Sequence, residues 1–256
     1  MATQQAQNDQ AQNDQAQDDR VSRHRLEQVD IASHIDHTLL TPTATPEQVE
    51  QWCTAAEQYR FASVCLNPCH VKQAAERLYR SRVLVSTVVG FPLGTSLTEV
   101  KLHEAQLAVE HGAQELDLKL NLTLLRAGQL DALHEEVGAI VEATGVPIKA
   151  ILETALLTDE EKQILGQLCI EAGAAFLKTS TGWTGGATES DVRLLWRLTQ
   201  GGIPIKASGG IRTPMQAINL LQAGATRLGT SYGIEIVTSS GDPTPSKQAD
   251  SDLTEV

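Results

Sequence analysis

Eight short apolar runs alternate with helix-period segments over residues 34–231, and this alternation is the strongest constraint on what the chain can fold into. The runs are "HIDHT" (34–38), "ASVCLN" (62–67), "VLVSTVVGF" (83–91), "QELDLKLNL" (114–122), "PIKAILE" (147–153), "AFLKTS" (175–180), "IPIKAS" (203–208) and "TRLGTS" (226–231). Stretches between them, such as "SLTEVKLHEAQLAVEHGA" and "DALHEEVGAIVEATGV", repeat apolar residues at i, i+3, i+4 and i+7. Several end at a glycine before the next run: Gly112, Gly145, Gly173 and Gly224 fit the left-handed position that closes a helix. Eight β-α units in about 210 residues predict a closed α/β barrel, (β/α)8, near the lower end of the size range. The competing architecture is an open doubly wound sheet, but no GxGxxG follows the first strand. No shift in composition divides the middle of the chain, so a single domain is expected.

The fourth run supports closure. Leu116, Leu118, Leu120 and Leu122 share one face, whereas Glu115, Asp117, Lys119 and Asn121 share the other. A parallel sheet covered by helices has no wet face, so these charges must point into a barrel interior or its mouth. Asp36, Lys149 and Lys206 stand mid-run in three other strands, and charges of both signs converging there predict an active site at the C-terminal mouth. In "AFLKTSTGWTGG" Lys178 follows the apolar pair Phe176-Leu177. A buried lysine is either paired, or uncharged and put to chemical use.

Glycine-bearing loops follow the late strands: "TGWTGGAT" (181–188), "SGGIRTP" (208–214) and "LGTSYG" (228–233). Thr213-Pro214 reads as N-cap and first helical residue, and Thr188 with Asp191 as a capping box with Asp replacing Glu. Such turns present backbone N–H groups, and barrels commonly hold phosphate in the loops after strands seven and eight. Gly209, Gly210, Gly229 and Ser231 are therefore candidate phosphate-binding positions. Gly185-Gly186 reads as a tight turn, and Arg212 as either a phosphate ligand or a surface charge.

The ends differ from the middle. Residues 1–24, with the repeat "QQAQNDQAQNDQAQDD", and residues 238–256 lack apolar residues to bury and are expected to be disordered tails flanking a domain over 25–237. Residues 1–19 (−4) and 240–256 (−3) account for more than half of the net charge of −12, and the remaining acidity reads as solubility. No basic run suggests nucleic acid, no apolar run approaches the roughly 20 residues of a membrane span, and no signal peptide opens the chain, so a cytoplasmic protein is expected. Cys53, Cys65, Cys69 and Cys169 include no CxxC pair; Cys65, Cys69 and His70 make only a loose cluster, and no metal is expected.

The motifs "IDHTLL", "CLNP", "VVGFPLG", "ILET", "FLKTSTGW", "KASGGIRT" and "RLGTS", in that order over residues 30–237, resemble the 2-deoxyribose-5-phosphate aldolase family. The resemblance implies a (β/α)8 TIM barrel with an N-terminal helix, and a class I aldolase without metal or other cofactor. It implies reversible cleavage of 2-deoxy-D-ribose 5-phosphate to acetaldehyde and D-glyceraldehyde 3-phosphate, in deoxyribonucleotide catabolism. By motif, Lys178 matches the Schiff-base lysine, Lys206 its activating neighbour, Asp117 the proton-transfer acid and Cys65 a cysteine of the substrate channel. Thr181, Gly182, Gly209, Gly210, Arg212, Gly229 and Ser231 are assigned to substrate and phosphate. The partner implied is a small sugar phosphate, with a homodimer as the assembly considered. Three departures stand out: Lys119 where relatives commonly carry an apolar residue, Trp183 where some have Lys, and a C-terminal tail without the Tyr that some bring back to the site.

A lysine near its ordinary pKa of about 10.4 cannot attack a carbonyl at neutral pH. Desolvation in an apolar strand and a second ammonium next door both lower that value, which makes Lys178 beside Lys206 a plausible nucleophile. Lys149 is read as a structural ion pair with Glu153 or Asp36, Cys65 equally as an inert buried thiol, and His34, His37 and His70 as ordinary hydrogen-bonding residues. Two rival functions remain: another class I aldolase or isomerase on the same barrel, and a weakly catalytic sugar-phosphate-binding relative suggested by Lys119 beside Asp117.

Overall fold

The computed structural model describes residues 30–239. Both polar tails and residues 25–29 lie outside the described residues, apart from Thr238 and Ser239. Of the expected N-terminal helix, the described residues hold only a 3-10 turn, Ala32–His34.

Eight parallel strands close into one barrel in sequence order: β1 (Ile35–Leu39), β2 (Ser63–Leu66), β3 (Leu84–Val89), β4 (Glu115–Lys119), β5 (Ile148–Ile151), β6 (Phe176–Lys178), β7 (Ile205–Ser208) and β8 (Arg227–Thr230). β1 closes on β8 by pairing His37 with Thr230. Each strand falls inside or within one residue of its predicted run. The largest difference is at β4, which stops at Lys119. Asn121 caps the next helix by accepting from the Thr123 N–H (3.1 Å), so Leu122 opens α4 instead of extending the strand.

The outer ring comprises α1 (Pro46–Tyr59), α2 (Val71–Arg77), α3 (Thr98–Glu110), α4 (Leu122–Arg126), α5 (Leu130–Thr144), α6 (Asp159–Glu171), α7 (Glu189–Thr199), α8 (Pro214–Ala223) and α9 (Gly233–Thr238). Reciprocal capping boxes start three of them: Thr45 with Gln48, Thr158 with Glu161 and Thr213 with Gln216. Each cap contributes about 1 kcal/mol. The box expected at Thr188 is only half made. Thr188 accepts from the Asp191 N–H, but the short Asp191 carboxylate turns outward to Lys162 of α6 (2.6 Å) and ties two helices together. Gly224 carries φ 116° at the end of α8, where an added Cβ would lie 2.5 Å from the Trp196 ring, so both the conformation and the space demand glycine.

Outward-facing strand residues such as Val64, Leu116, Leu118, Ile148, Leu177 and Leu228 are fully buried between the sheet and the helices. Most of the alternate positions, which face the barrel axis, are polar: Asp36, Ser63, Ser86, Glu115, Asp117, Lys149, Lys178 and Lys206 are all buried. The apolar layer thus holds the fold, while the barrel interior is left for charge.

Candidate active site

Strand register brings the charges together. Lys178 on β6 pairs with Lys206 on β7, Lys206 with Arg227 on β8, and Asp117 on β4 with Lys149 on β5. Period-2 alternation sends these side chains into the barrel, where their heads meet. The Lys178 Nζ lies 2.8 Å from Asp117 Oδ2, and the Lys206 Nζ lies 2.7 Å from the same oxygen and 2.6 Å from Asp36 Oδ2. Lys149 donates to Asp117 Oδ1 (3.0 Å) and Ser86 Oγ (3.0 Å), and lies 2.7 Å from Glu115 Oε2. The Cys65 Sγ approaches Asp117 Oδ2 at 3.8 Å.

These contacts set opposite proton affinities on the two adjacent lysines. Burial disfavours every charge here. For Asp117 it is outweighed by Lys149, Lys178 and Lys206, which hold the carboxyl well below its ordinary value. For Lys206 it is outweighed by Asp117 and Asp36, which raise the ammonium above its ordinary value. Among the described residues Lys178 has Asp117 alone as a salt-bridge partner, so burial, helped by the Lys206 charge, prevails and lowers its pKa. Burial, with the Asp117 charge, pushes the Cys65 thiol up. Cys65 is thus a neutral neighbour of the carboxylate.

Above these heads a pocket opens at the C-terminal end of the strands. It is lined by Lys178, Thr181, Gly182, Gly209, Gly210, Arg212, Gly229 and Ser231, which are eight of the predicted site residues. Asp117, Lys206 and Cys65 are not among its lining residues; each is within 3.8 Å of the Lys178–Asp117 pair. The loops after β6 and β7 pack backbone to backbone. A Cβ on Gly209 would lie 3.0 Å from Gly182 Cα, Gly185 O and Gly186 Cα, and the Ala187 N–H donates to Gly209 O (3.1 Å). Gly185-Gly186 therefore does more than turn the chain: it lets two loops touch. The Arg212 guanidinium sits 5.5 Å from the Tyr232 ring centre at the pocket edge.

Sequence reasoning passed over Thr38, Leu40, Ser208, Thr230 and Tyr232, which also line the pocket, and Arg227 in the interior. Arg227 stands two residues before Gly229, so the alternation that flagged Asp117 would have placed it on the inward face. One expected pairing is corrected. Lys149 reaches Glu115 and Asp117, with Asp36 Oδ2 at 3.7 Å, but not Glu153. Glu153 accepts from the Thr181 N–H (3.1 Å) and lies 3.8 Å from Lys119 Nζ. Lys119 turns away from Asp117 toward Glu153 and the Leu120 carbonyl (3.3 Å), and burial brings its pKa down to about 8. Among the described residues no group of three His, Cys, Asp or Glu side chains could hold a metal ion, and no helix is long and apolar enough to cross a membrane.

A closed parallel barrel with a lysine pair under a glycine-walled pocket defines an enzyme of the (β/α)8 aldolase class. Comparison with known proteins narrows this. Residues 15–239 match the model of the DeoC/LacD family aldolases, and the chain belongs to that family. It is 57% identical to a deoxyribose-phosphate aldolase of Trichormus variabilis over 84% of this chain and 95% of that protein. Among solved structures it is similar to the aldolase QR15 (TM-score 0.79, 42% identity, covering 82% of this chain and 95% of that one). It is also similar to the tetrameric deoxyribose phosphate aldolase of Aeropyrum pernix (TM-score 0.77, 37% identity, 83% and 93% covered).

Proposed function

We propose that this protein cleaves 2-deoxy-D-ribose 5-phosphate reversibly to acetaldehyde and D-glyceraldehyde 3-phosphate, through a covalent iminium on Lys178. The observation that carries the reading is the asymmetry of the lysine pair: one nitrogen is lowered by burial, its strand neighbour is held charged by two carboxylates, and both share Asp117 Oδ2. The neutral Lys178 amine attacks the C1 aldehyde of the open-chain sugar, and loss of water from the carbinolamine leaves the iminium. Asp117 takes the proton of the C3 hydroxyl as the C2–C3 bond breaks, its electrons flowing into the iminium to form an enamine. Three carbons leave as the phosphorylated aldehyde. Asp117 returns that proton to C2 of the enamine, and hydrolysis then releases acetaldehyde and restores the amine.

Gly182, Gly209, Gly210, Gly229 and Ser231, with Thr181 and Arg212 at the rim, are proposed to hold the phosphate, because their loops surround the same pocket into which Lys178 opens. The iminium is itself the electron sink, and the interior carboxylates Asp36, Glu115 and Asp117 are all engaged by ammonium or guanidinium groups, which supports chemistry without a metal. We place the activity in deoxyribonucleotide catabolism in the cytoplasm, in a homo-oligomer, on the strength of the similarity to deoxyribose-phosphate aldolases.

Borohydride reduction in the presence of 2-deoxy-D-ribose 5-phosphate, followed by peptide mass spectrometry, tests the reading. A reduced adduct on the peptide containing Lys178 is expected. An adduct on Lys149 or Lys206, or none at all in protein that turns the substrate over, would overturn it.

A further inference from the structure

Beneath the reactive lysines the barrel carries a second ionic layer that the chemistry above does not use. Arg227 donates from Nη1 to Asp36 Oδ1 (2.6 Å) and Glu115 Oε2 (3.0 Å), and from Nη2 to Glu115 Oε1 (3.2 Å). Ser63 Oγ donates to the same Asp36 oxygen (2.6 Å). Lys149 joins this layer to the one above, touching Glu115 and Asp117. Phe176, on the face of β6 that also carries Lys178, closes the floor, its ring centre 5.4 Å from the Arg227 guanidinium carbon and 5.9 Å from the Lys149 nitrogen.

The connected network contains the carboxylates Asp36, Glu115 and Asp117 and the cations Lys149, Lys178, Lys206 and Arg227. It holds one cation more than it holds anions. A buried network favours neutrality, so one cation is under pressure to lose its proton. Arginine cannot. Lys149 and Lys206 each contact at least two carboxylates, whereas among the described residues Lys178 contacts only Asp117, at an oxygen it shares with Lys206. Lys178 is the group that yields. Of the other titratable groups around it, Cys65 is neutral, and Lys119 and Glu153 face each other at the mouth.

We infer that Arg227 is a positioning residue for the lysine chemistry: by occupying Asp36 and Glu115 it leaves Lys206 and Lys149 on Asp117, and so keeps Lys178 as the surplus cation that sheds its proton. This rests on the assignment of Lys178 as the nucleophile. Without Arg227, Asp36 draws Lys206 and Lys149 toward itself and Asp117 is left to hold a protonated Lys178. Removing Glu115 acts in the opposite sense, because the surplus of cations grows.

The test is the pH dependence of kcat/KM and of borohydride trapping in the full chain carrying Arg227→Gln, Arg227→Lys, Glu115→Gln or Arg227→Gln with Glu115→Gln. Arg227→Gln should move the acid limb to higher pH, and a limb displaced by half a pH unit lowers the rate below it roughly threefold. Glu115→Gln should move the limb to lower pH. The double variant, which restores the surplus, should return toward the unsubstituted profile, and Arg227→Lys should keep it. Opposed displacements cannot come from general loosening of the barrel, and Glu115→Gln keeps the test decisive if Arg227→Gln does not fold. Displacements of the same sign, or limbs that do not move, in proteins that still trap substrate on Lys178 would overturn the inference alone. Failure of the unsubstituted protein to trap on Lys178 would overturn the nucleophile assignment and this inference with it.

Discussion

Lys178 and Lys206 are register partners on adjacent strands, and their two nitrogens close on a single oxygen, Asp117 Oδ2, at 2.8 and 2.7 Å. One carboxylate oxygen cannot satisfy two ammonium groups equally inside a barrel. Asp36 gives Lys206 a second partner, and among the described residues Lys178 has no second carboxylate. The pair therefore divides into a lasting cation and an amine that is easily freed.

This division predicts different failures for the two lysines. Lys178→Leu should abolish both turnover and borohydride adduct. Lys206→Leu keeps the nucleophile but removes the neighbouring charge and the competitor for Asp117, so the pKa of Lys178 should rise. A rise of one pH unit reduces the free-amine fraction about tenfold at neutral pH. Part of the lost rate should return as pH increases, with the adduct still on Lys178. A rate loss in Lys206→Leu that alkaline pH does not relieve would show that Lys206 does something other than tune its neighbour.

Gly210 has φ 72°, and a Cβ there would meet only Gly186 Cα at 4.0 Å, so the site has room but a strained backbone. Gly210→Glu should cost about 1 kcal/mol in stability and place a carboxylate at the pocket wall. KM for 2-deoxy-D-ribose 5-phosphate should rise well beyond any change for unphosphorylated 2-deoxyribose. Equal effects on both sugars, measured side by side, would remove phosphate binding from this loop.

Protein treated with EDTA and shown by elemental analysis to be metal-free should retain its full aldolase rate. Loss of that rate, with rescue by added zinc, would replace the lysine electron sink by a Lewis acid.

The barrel was legible in the sequence because outward-facing apolar residues recur with period 2 in strands such as β2, β4, β5 and β7, and helix caps are local signals. The Leu-x-Leu alternation after Glu115 carried the β4 reading too far, to Leu122, since an N-cap at Asn121 interrupts a pattern that hydrophobicity alone continues. Within the site, the motifs singled out Lys178, Lys206 and Asp117, which the structure brings together; of the partners of Lys149, Asp36 was expected, whereas Glu115 and Asp117 were not. Which inward side chains meet depends on strand tilt and stagger around the barrel, and these put Glu115 next to Lys149 and send Glu153 to Lys119 and Thr181. The separation of a given acid and lysine along the chain carries no information about that stagger.

Lys101 on α3 and Glu136 on α5 form an ion pair of 2.7 Å with both side chains fully buried, and Lys101 also donates to the Lys119 carbonyl at the end of β4 (3.0 Å). Removing one partner strands a buried charge. Lys101→Met should therefore destabilise the fold by about 3 kcal/mol or more, whereas Lys101→Met with Glu136→Leu should cost clearly less. Urea unfolding of the three proteins decides the matter, and a double variant no more stable than the single would assign the loss to packing against Gly90 and β4 instead of to charge.

The last prediction concerns acid stability. Contrary to the hydrogen-bonding role expected of it, His37 is 1% exposed and stacked on Trp52 with ring centres 4.9 Å apart, and neither ring nitrogen has a hydrogen-bond partner among the described residues. Burial lowers its pKa from 6.5 to about 4. The folded state therefore binds fewer protons than the unfolded state between these values, so stability is complete above pH 6.5 and falls as pH drops toward 4. Between pH 7.5 and 5 this one residue should remove about 2 kcal/mol, most of the unfolded-state protonation being reached while the folded imidazole stays neutral. His37→Phe keeps an aromatic ring between Trp52 and Phe61 without a titrating group, so its unfolding free energy should change less over that interval by the same amount. Denaturant midpoints at pH 7.5 and 5 for the two proteins measure this directly. Parallel pH dependences would show that the buried imidazole is protonated in the folded protein, and the acid sensitivity would have to be sought among the interior carboxylates at lower pH.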